Sequence, residues 1–176
     1  MKRRDFLHIS GTASLISTGI ILPDILYAKP SFSEFSNFSE LLGNLIQLND
    51  ERIPDLMKMQ DLNQQSKYFG GVQDNFKIFN PGSTSGLITV FTCAFCCSQS
   101  KFFRDEKLAE SIELAIKYLL KIQHTDGTID LLSTNFHSTP DTGFVVEPLC
   151  AAFKLLSEAQ FERKKAVIEL LEKFLK

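Results

Sequence analysis

Apolar positions recur at helical spacing through most of the chain. Phe38, Leu41, Leu42, Leu45 and Ile46 lie three or four residues apart, and Asn37 with Glu40 makes a cap-like start, so a helix is predicted over 37–48. Asn49-Asp50 predicts a turn into a short helix over 51–60, with Pro54 in its first turn and Ile53, Leu56 and Met57 on one face. Gly70-Gly71 and Asn80-Pro81-Gly82 then break the periodicity, and 61–83 reads as a loop. Thr84 to Cys97 is apolar nearly all round, as expected of a helix buried on most sides, and Ser100 to Arg104 ends it. An amphipathic helix over 105–122 follows, carrying Leu108, Ile112, Ile116, Leu119 and Ile122. A second long loop, 123–140, leads to a mostly apolar helix from Asp141 to about Leu156, and a last amphipathic helix covers 162–176. No segment shows a strand pattern, and the chain is predicted to be all-α.

The pattern also repeats. A gapless shift of 57 positions lays Gly70 on Gly127, Val72 on Ile129, Phe79 on Phe136, Asn80 on His137, Ser85 on Thr142, Gly86 on Gly143 and Cys93 on Cys150. A shift of 55 lays Val167 to Leu171 on Ile112 to Ile116, and Lys173 to Lys176 on Tyr118 to Lys121. The repeated unit is a helical hairpin whose apolar and amphipathic helices alternate, as in an inner row of helices lined by an outer row. Both long loops follow outer helices, which places them at one end of the array, and long loops on a rigid scaffold are where function concentrates.

The N-terminus reads as an address rather than as structure. Lys2, Arg3 and Arg4 precede a weak apolar stretch from Ile9 to Leu22, too short for a membrane span, and Arg3-Arg4-Asp5-Phe6-Leu7 resembles the twin-arginine export motif. The expected organisation is a signal peptide over 1–28 cleaved after Ala28, a lead-in over 29–36 and a helical domain over 37–176. The implied location is the periplasm or the exterior, reached through the twin-arginine export machinery, with no membrane span after signal removal. The chain has 176 residues, 44% of them apolar, with 19 basic and 21 acidic side chains. Losing Lys2, Arg3, Arg4, Asp5 and Asp24 leaves 16 bases against 19 acids, a net −3, so no basic field points to nucleic acid as a partner.

Gln123-His124-Thr125-Asp126-Gly127-Thr128-Ile129 is similar to the Gln-x-x-Asp-Gly turn that joins outer to inner helices throughout the α/α toroids, with Ile129 where many members carry Trp. The fuller run Ile122 to Asp130, with Asn135-Phe136-His137-Ser138-Thr139-Pro140-Asp141-Thr142-Gly143-Phe144 and Glu147-Pro148-Leu149, resembles exported bacterial proteins related to heparinase II/III-like polysaccharide lyases. The resemblance covers roughly residues 37–176. It implies an incomplete α/α toroid, about three of six antiparallel hairpins, and a carbohydrate-active protein whose partner is an acidic, uronate-containing polysaccharide or oligosaccharide. Leu171 to Lys176 matches Ile116 to Lys121, so the chain is expected to be an N-terminal piece, inactive by itself. The same scaffold also carries glycoside hydrolases, and a non-catalytic module that binds glycan or protein is the third reading.

A lyase neutralises the uronate carboxyl and removes the neighbouring proton. Asn135 suits neutralisation, His137 suits proton transfer near neutral pH, and Tyr68 from the first loop serves as acid or base. Asp130, Asp74, Asn80, Asp141, Thr142 and Phe136 are the candidate substrate contacts. A hydrolase would need two carboxyls about 5 to 10 Å apart, available from Asp141 with Glu147 or Asp74. Glu147, on an apolar face beside Pro148, is expected to be a buried carboxylate, costly unless used, and ranks as a catalytic candidate. Asp141 is also a good helix N-cap, Asp126 fits a tight turn with Gly127, and His124 fits a helix end. Cys93, Cys96, Cys97 and Cys150 sit among apolar residues and are expected in the core, with a Cys93–Cys150 bridge permitted but not required. No metal-ligand spacing, phosphate loop or nucleophile elbow occurs, and no metal or cofactor is implied.

Overall fold

A computed structural model describes residues 38–131 and 135–176. The signal over 1–28 and the lead-in over 29–36 lie outside the described residues. Five helices follow in order: α1 (Phe38–Met59), α2 (Pro81–Cys96), α3 (Glu106–Ile122), α4 (Thr139–Glu158) and α5 (Lys164–Leu175). A short antiparallel hairpin, β1 (Ile129–Leu131) with β2 (Asn135–Ser138), precedes α4. The protein is mostly helical as predicted, but the hairpin corrects the expectation that no strand exists. Its strands are three and four residues long, too short for a period-two pattern to mark them.

Helix α2 packs against α3 and α4, and α5 packs against α3 and α4, so the alternating apolar and amphipathic helices form two rows. Leu87, Ile88, Phe91 and Phe95 of α2 are fully buried among Leu108, Ile112, Ile116 and Leu119 of α3 and Leu149 and Leu156 of α4. At roughly 1.5 to 3 kcal/mol for each fully buried large side chain, this layer is the main source of stability. Asp105 caps α3 by accepting from Lys107 N at 2.9 Å, and Glu113 joins α3 to the start of α5 through Arg163 at 2.9 Å.

Three boundaries differ from expectation. The turn at Asn49-Asp50 does not form, and one helix runs from Phe38 to Met59 with Pro54 in its interior. Those two polar residues are satisfied across the fold instead. Asn49 Nδ2 donates to the Val90 carbonyl at 3.0 Å, while the buried Asp50 accepts from Ser100 Oγ at 2.7 Å and Lys101 N at 2.9 Å. Tertiary hydrogen bonds have overridden a local turn signal. Helix α2 begins at Pro81, three residues before the predicted start, because Asn80 caps it by accepting from Ser83 N at 2.7 Å. Helix α4 begins at Thr139 because Ser138 is its cap, so Asp141 is not the N-cap but lies in the first turn, hydrogen-bonded to the Ser138 hydroxyl.

The repeat is visible in hydrogen bonds. Gln60 follows α1 and Gln123 follows α3; each donates its side-chain amide to the glycine carbonyl of the next loop, Gly70 at 3.1 Å and Gly127 at 3.1 Å. Each amide also reaches the next outer helix, at the Ser111 carbonyl (3.0 Å) and the Phe174 carbonyl (3.0 Å). Gly70 and Gly127 both have positive φ, at 88° and 83°. Beyond these glycines the gapless shift of 57 fails by one residue. Thr84 Oγ1 accepts from Val72 N at 3.1 Å and donates to the Asn80 carbonyl, whereas it is Thr142 that accepts from Ile129 N at 3.0 Å and donates to the Ser138 carbonyl. Thr142 therefore matches Thr84 and not Ser85, and Ser138 matches Asn80. The extra residue is absorbed in the irregular register between Ile129–Ser138 and Leu131–Asn135, where His137 has φ of +48°.

The cysteines are not core residues in the sense expected. Cys93 and Cys150 are exposed, Cys96 and Cys97 are half-buried, and all four are unbridged. Their surroundings are apolar, but several apolar positions of α4, Phe144 and Leu155 included, meet solvent. Burial nevertheless raises the Cys93 and Cys96 thiols above their usual range, with neighbouring Cys97 adding to both.

Candidate functional site

The two long loops meet. Lys67, Tyr68 and Phe79 from the first, Pro81 at the start of α2, Asp130 from the second, and Tyr118 and Ile122 of α3 line a pocket of about 330 Å³. Tyr68 stacks on Phe79 with ring centroids 4.3 Å apart, and Lys67 Nζ lies 4.7 Å from the Tyr68 ring. Tyr118 forms the floor; burial, with Tyr68 nearby, pushes its phenol up to about 12.

Behind Asp130 lies a cluster built almost wholly by the second loop. The turn at Gly127 is closed by Gly127 N donating to the His124 carbonyl at 3.0 Å and by Asp126 accepting from Thr128 N at 3.0 Å, as the Asp-Gly pair predicts. This turn sends the chain back so that His124 and His137 stack, with ring centroids 3.8 Å apart. Asp130 Oδ1 holds both halves of the stack, accepting from His137 N at 2.9 Å and His124 Nε2 at 2.8 Å. On the other side, His137 Nδ1 lies 3.2 Å from Thr128 Oγ1 and 3.2 Å from Asp126 Oδ2.

These partners assign the His137 tautomer. The Thr128 hydroxyl spends its proton on Asp126 Oδ1 at 2.7 Å, so it can only accept from the imidazole. Nδ1 then carries the hydrogen shared with Thr128 and Asp126, and among the described residues Nε2 has no hydrogen-bond partner. Asp126 is held down at about 2 by the Thr128 hydroxyl and backbone N–H and by His137, so it is ionised across the physiological range. Asp130 is also lowered, by the His137 backbone N–H first and then by His124. The arrangement is an imidazole oriented through Nδ1 by a hydroxyl and a carboxylate, the kind of placement a proton-transfer group needs.

The other predicted residues divide sharply. Asp141 Oδ2 accepts from the Ser138 hydroxyl and from Asn135 Nδ2 at 3.1 Å, which lowers its carboxyl and occupies the Asn135 amide meant for substrate. Asp74 accepts from Phe76 N at 2.8 Å, Ile78 N at 3.0 Å and Asn80 Nδ2 at 3.0 Å, and is lowered by the Ile78 contact first. Asn80 and Thr142 are spent on capping and on the loop-to-helix clamp, so these groups shape the site rather than face it. Phe136 is 72% exposed. Glu147 is exposed on α4, which removes the expectation of a buried carboxylate. His124 does not cap α3, whose C-cap is Gln123; it enters the site through Asp130. His124, Asp126 and Thr128 were not expected at the site, although their spacing from Gly127 in a tight turn is the signal that gathers them.

Among the described residues no group of three His, Cys, Asp or Glu side chains converges as a metal site, and no helix is long and apolar enough to cross a membrane. A larger apolar groove of about 440 Å³ lies between α1 and α2, and its one carboxylate, Asp50, is already engaged. No family model matches the chain, and no curated protein or solved structure matches it.

Proposed function

We propose that this is an exported α/α-toroid protein that acts on an acidic, uronate-containing polysaccharide by β-elimination at the end of the helical array where the two long loops meet. The observation that carries the reading is the oriented imidazole of His137. Its Nε2 takes the proton beside the uronate carboxyl, the electron pair left behind forms the new double bond, and the glycosidic oxygen leaves with a proton supplied by the Tyr68 phenol. Lys67, on the pocket rim, supplies a cation for the uronate carboxylate. Elimination is favoured over hydrolysis because Asp74 and Asp141, the carboxyls a hydrolase would draw on, spend their oxygens on internal hydrogen bonds.

The test is to incubate the chain, carried within a completed helical array, with uronate polysaccharides and follow the ultraviolet absorbance of an unsaturated product. His137→Ala is expected to lower turnover by about 10² to 10⁴, and Asp126→Asn to lower it without abolishing binding. New reducing ends without that absorbance would establish a hydrolase, and binding without turnover a glycan-binding module; either overturns the reading.

A further inference from the structure

The first loop also walls a second cavity. Gln73 bridges Phe79, and Pro81 is followed by Gly82 at the start of α2. Phe79 and Pro81 line the pocket that holds Tyr68, whereas Gln73 and Gly82 line a cavity of about 340 Å³ together with Arg52 of α1, Asn75 of the loop, and Ser83 and Gly86 of α2. One loop segment and one helix start thus serve both cavities. The repeat shows what opens the second one. Thr84 matches Thr142, so Gly86 stands where α4 carries Phe144, and a Cβ at Gly86 would meet nothing within 4 Å. The charge differs as well. Val72 matches Ile129, each donating its N–H to the clamping threonine, so Gln73 stands where the second loop carries Asp130. Gln60 matches Gln123, so Arg52 stands where α3 carries Ala115. An amide replaces a carboxylate and a guanidinium replaces a methyl group, and both changes favour an anion.

Among the described residues the Arg52 guanidinium has no ion pair or hydrogen bond, and the side chains of Gln73, Asn75 and Ser83 have none either. The one carboxylate in the cavity wall, Asp74, is already engaged: Oδ1 accepts from Phe76 N and Ile78 N, and Oδ2 accepts from Asn80 Nδ2. The uncommitted groups are a planar fork of donors, two amides and a hydroxyl. We infer that this cavity is a subsite for the carboxylate of a neighbouring sugar in the same glycan, with Arg52 as its bidentate partner and Gln73, Asn75 and Ser83 bonding the adjacent sugar oxygens. The preference for an anion comes from the cavity itself, whereas the choice of a sugar carboxylate rests on the reading of the loop end as a uronate site. A ligand that fills both cavities carries more than one uronate, so the substrate class narrows to glycans with repeated carboxylates.

The experiment is a titration of the full chain, followed by nuclear magnetic resonance, with tetragalacturonate and with its carboxyl-reduced, uncharged counterpart. The Gly82 and Gly86 N–H signals report this cavity, and the Tyr68 and Tyr118 ring signals report the other. The charged sugar is expected to shift both sets. Arg52→Gln, at an exposed position and with unchanged melting, is expected to weaken its binding about tenfold and to leave binding of the uncharged sugar unchanged. Gly86→Phe restores the bulk found at the matching position of α4 without altering charge, and is expected to abolish the Gly82 shift. Glycine signals that stay still while the tyrosine signals move overturn the subsite and leave the uronate reading of the first pocket standing. Glycine signals that move in an Arg52-dependent way while the tyrosines stay still support the anion subsite and count against that reading. Equal affinity of wild type and Arg52→Gln for the charged sugar, or no binding of it at all, overturns the proposal.

Discussion

Gly70 lies against the carbonyl of Leu114 so closely that a Cβ at position 70 would overlap that oxygen, whereas a Cβ on Gly127, the matching glycine of the next unit, would meet nothing. Both have left-handed φ. Gly127→Ala is therefore expected to cost only the left-handed penalty, about 1 to 2 kcal/mol. Gly70→Ala must also displace the α3 backbone and is expected to cost clearly more. Urea midpoints of the two variants test this, and equal losses would contradict the close approach.

The glutamine amides hold each loop to the following outer helix. Gln60→Leu leaves the Gly70 and Ser111 carbonyls without this donor, and because Gln60 is buried a loss of about 1 to 3 kcal/mol is expected. Gln123→Leu, at a half-buried site, should cost less. Thermal melts of both variants give the comparison.

Thr92 is fully buried on α2, and its hydroxyl has no partner among the described residues. Replacing it by valine keeps the shape and removes the unpaired polar atom. Thr92→Val is expected to leave stability unchanged or raise it by about 1 kcal/mol, read from chemical denaturation. A clear loss would mean that the hydroxyl is satisfied.

Asp126 supplies a pH dependence of known sign. Its folded-state value, about 2, lies below the ordinary 3.8, so the carboxylate stabilises the fold above the ordinary value and loses that contribution as pH falls through about 2. The melting difference between wild type and Asp126→Asn should be largest near neutrality and shrink progressively as pH falls from about 4 to about 2. A difference that does not change across that window would show that the Thr128 and His137 contacts do not hold the carboxylate.

Helix positions were legible because the information is local. The spacing of Leu108, Ile112, Ile116 and Leu119 marks one face of α3 whatever surrounds it, and Asp126-Gly127 forms its turn from side-chain and φ preferences within four residues. Asn49-Asp50 misled for the converse reason: the partners that keep those residues helical, Val90 and Ser100, lie 41 and 50 positions away. The candidate site shows the same division. His137 and Asp130 could be picked out by residue type within one loop, but Asn135 and Asp141 have the same credentials and turn out to bond each other.

The sequence by itself determined a mostly helical chain, the alternation of apolar and amphipathic helices, and a repeated unit whose loops carry glycines at matching points, since each rests on periodicity or on conformations that few residues adopt. Tertiary structure alone decided that the repeat slips by one residue at a bulge, that His137 lands on that bulge against His124, and that Glu147 and Cys93 face outward. Those outcomes depend on which carbonyls, carboxylates and neighbouring helices come within reach once the chain has folded, and a linear pattern holds no record of distances between its separated parts.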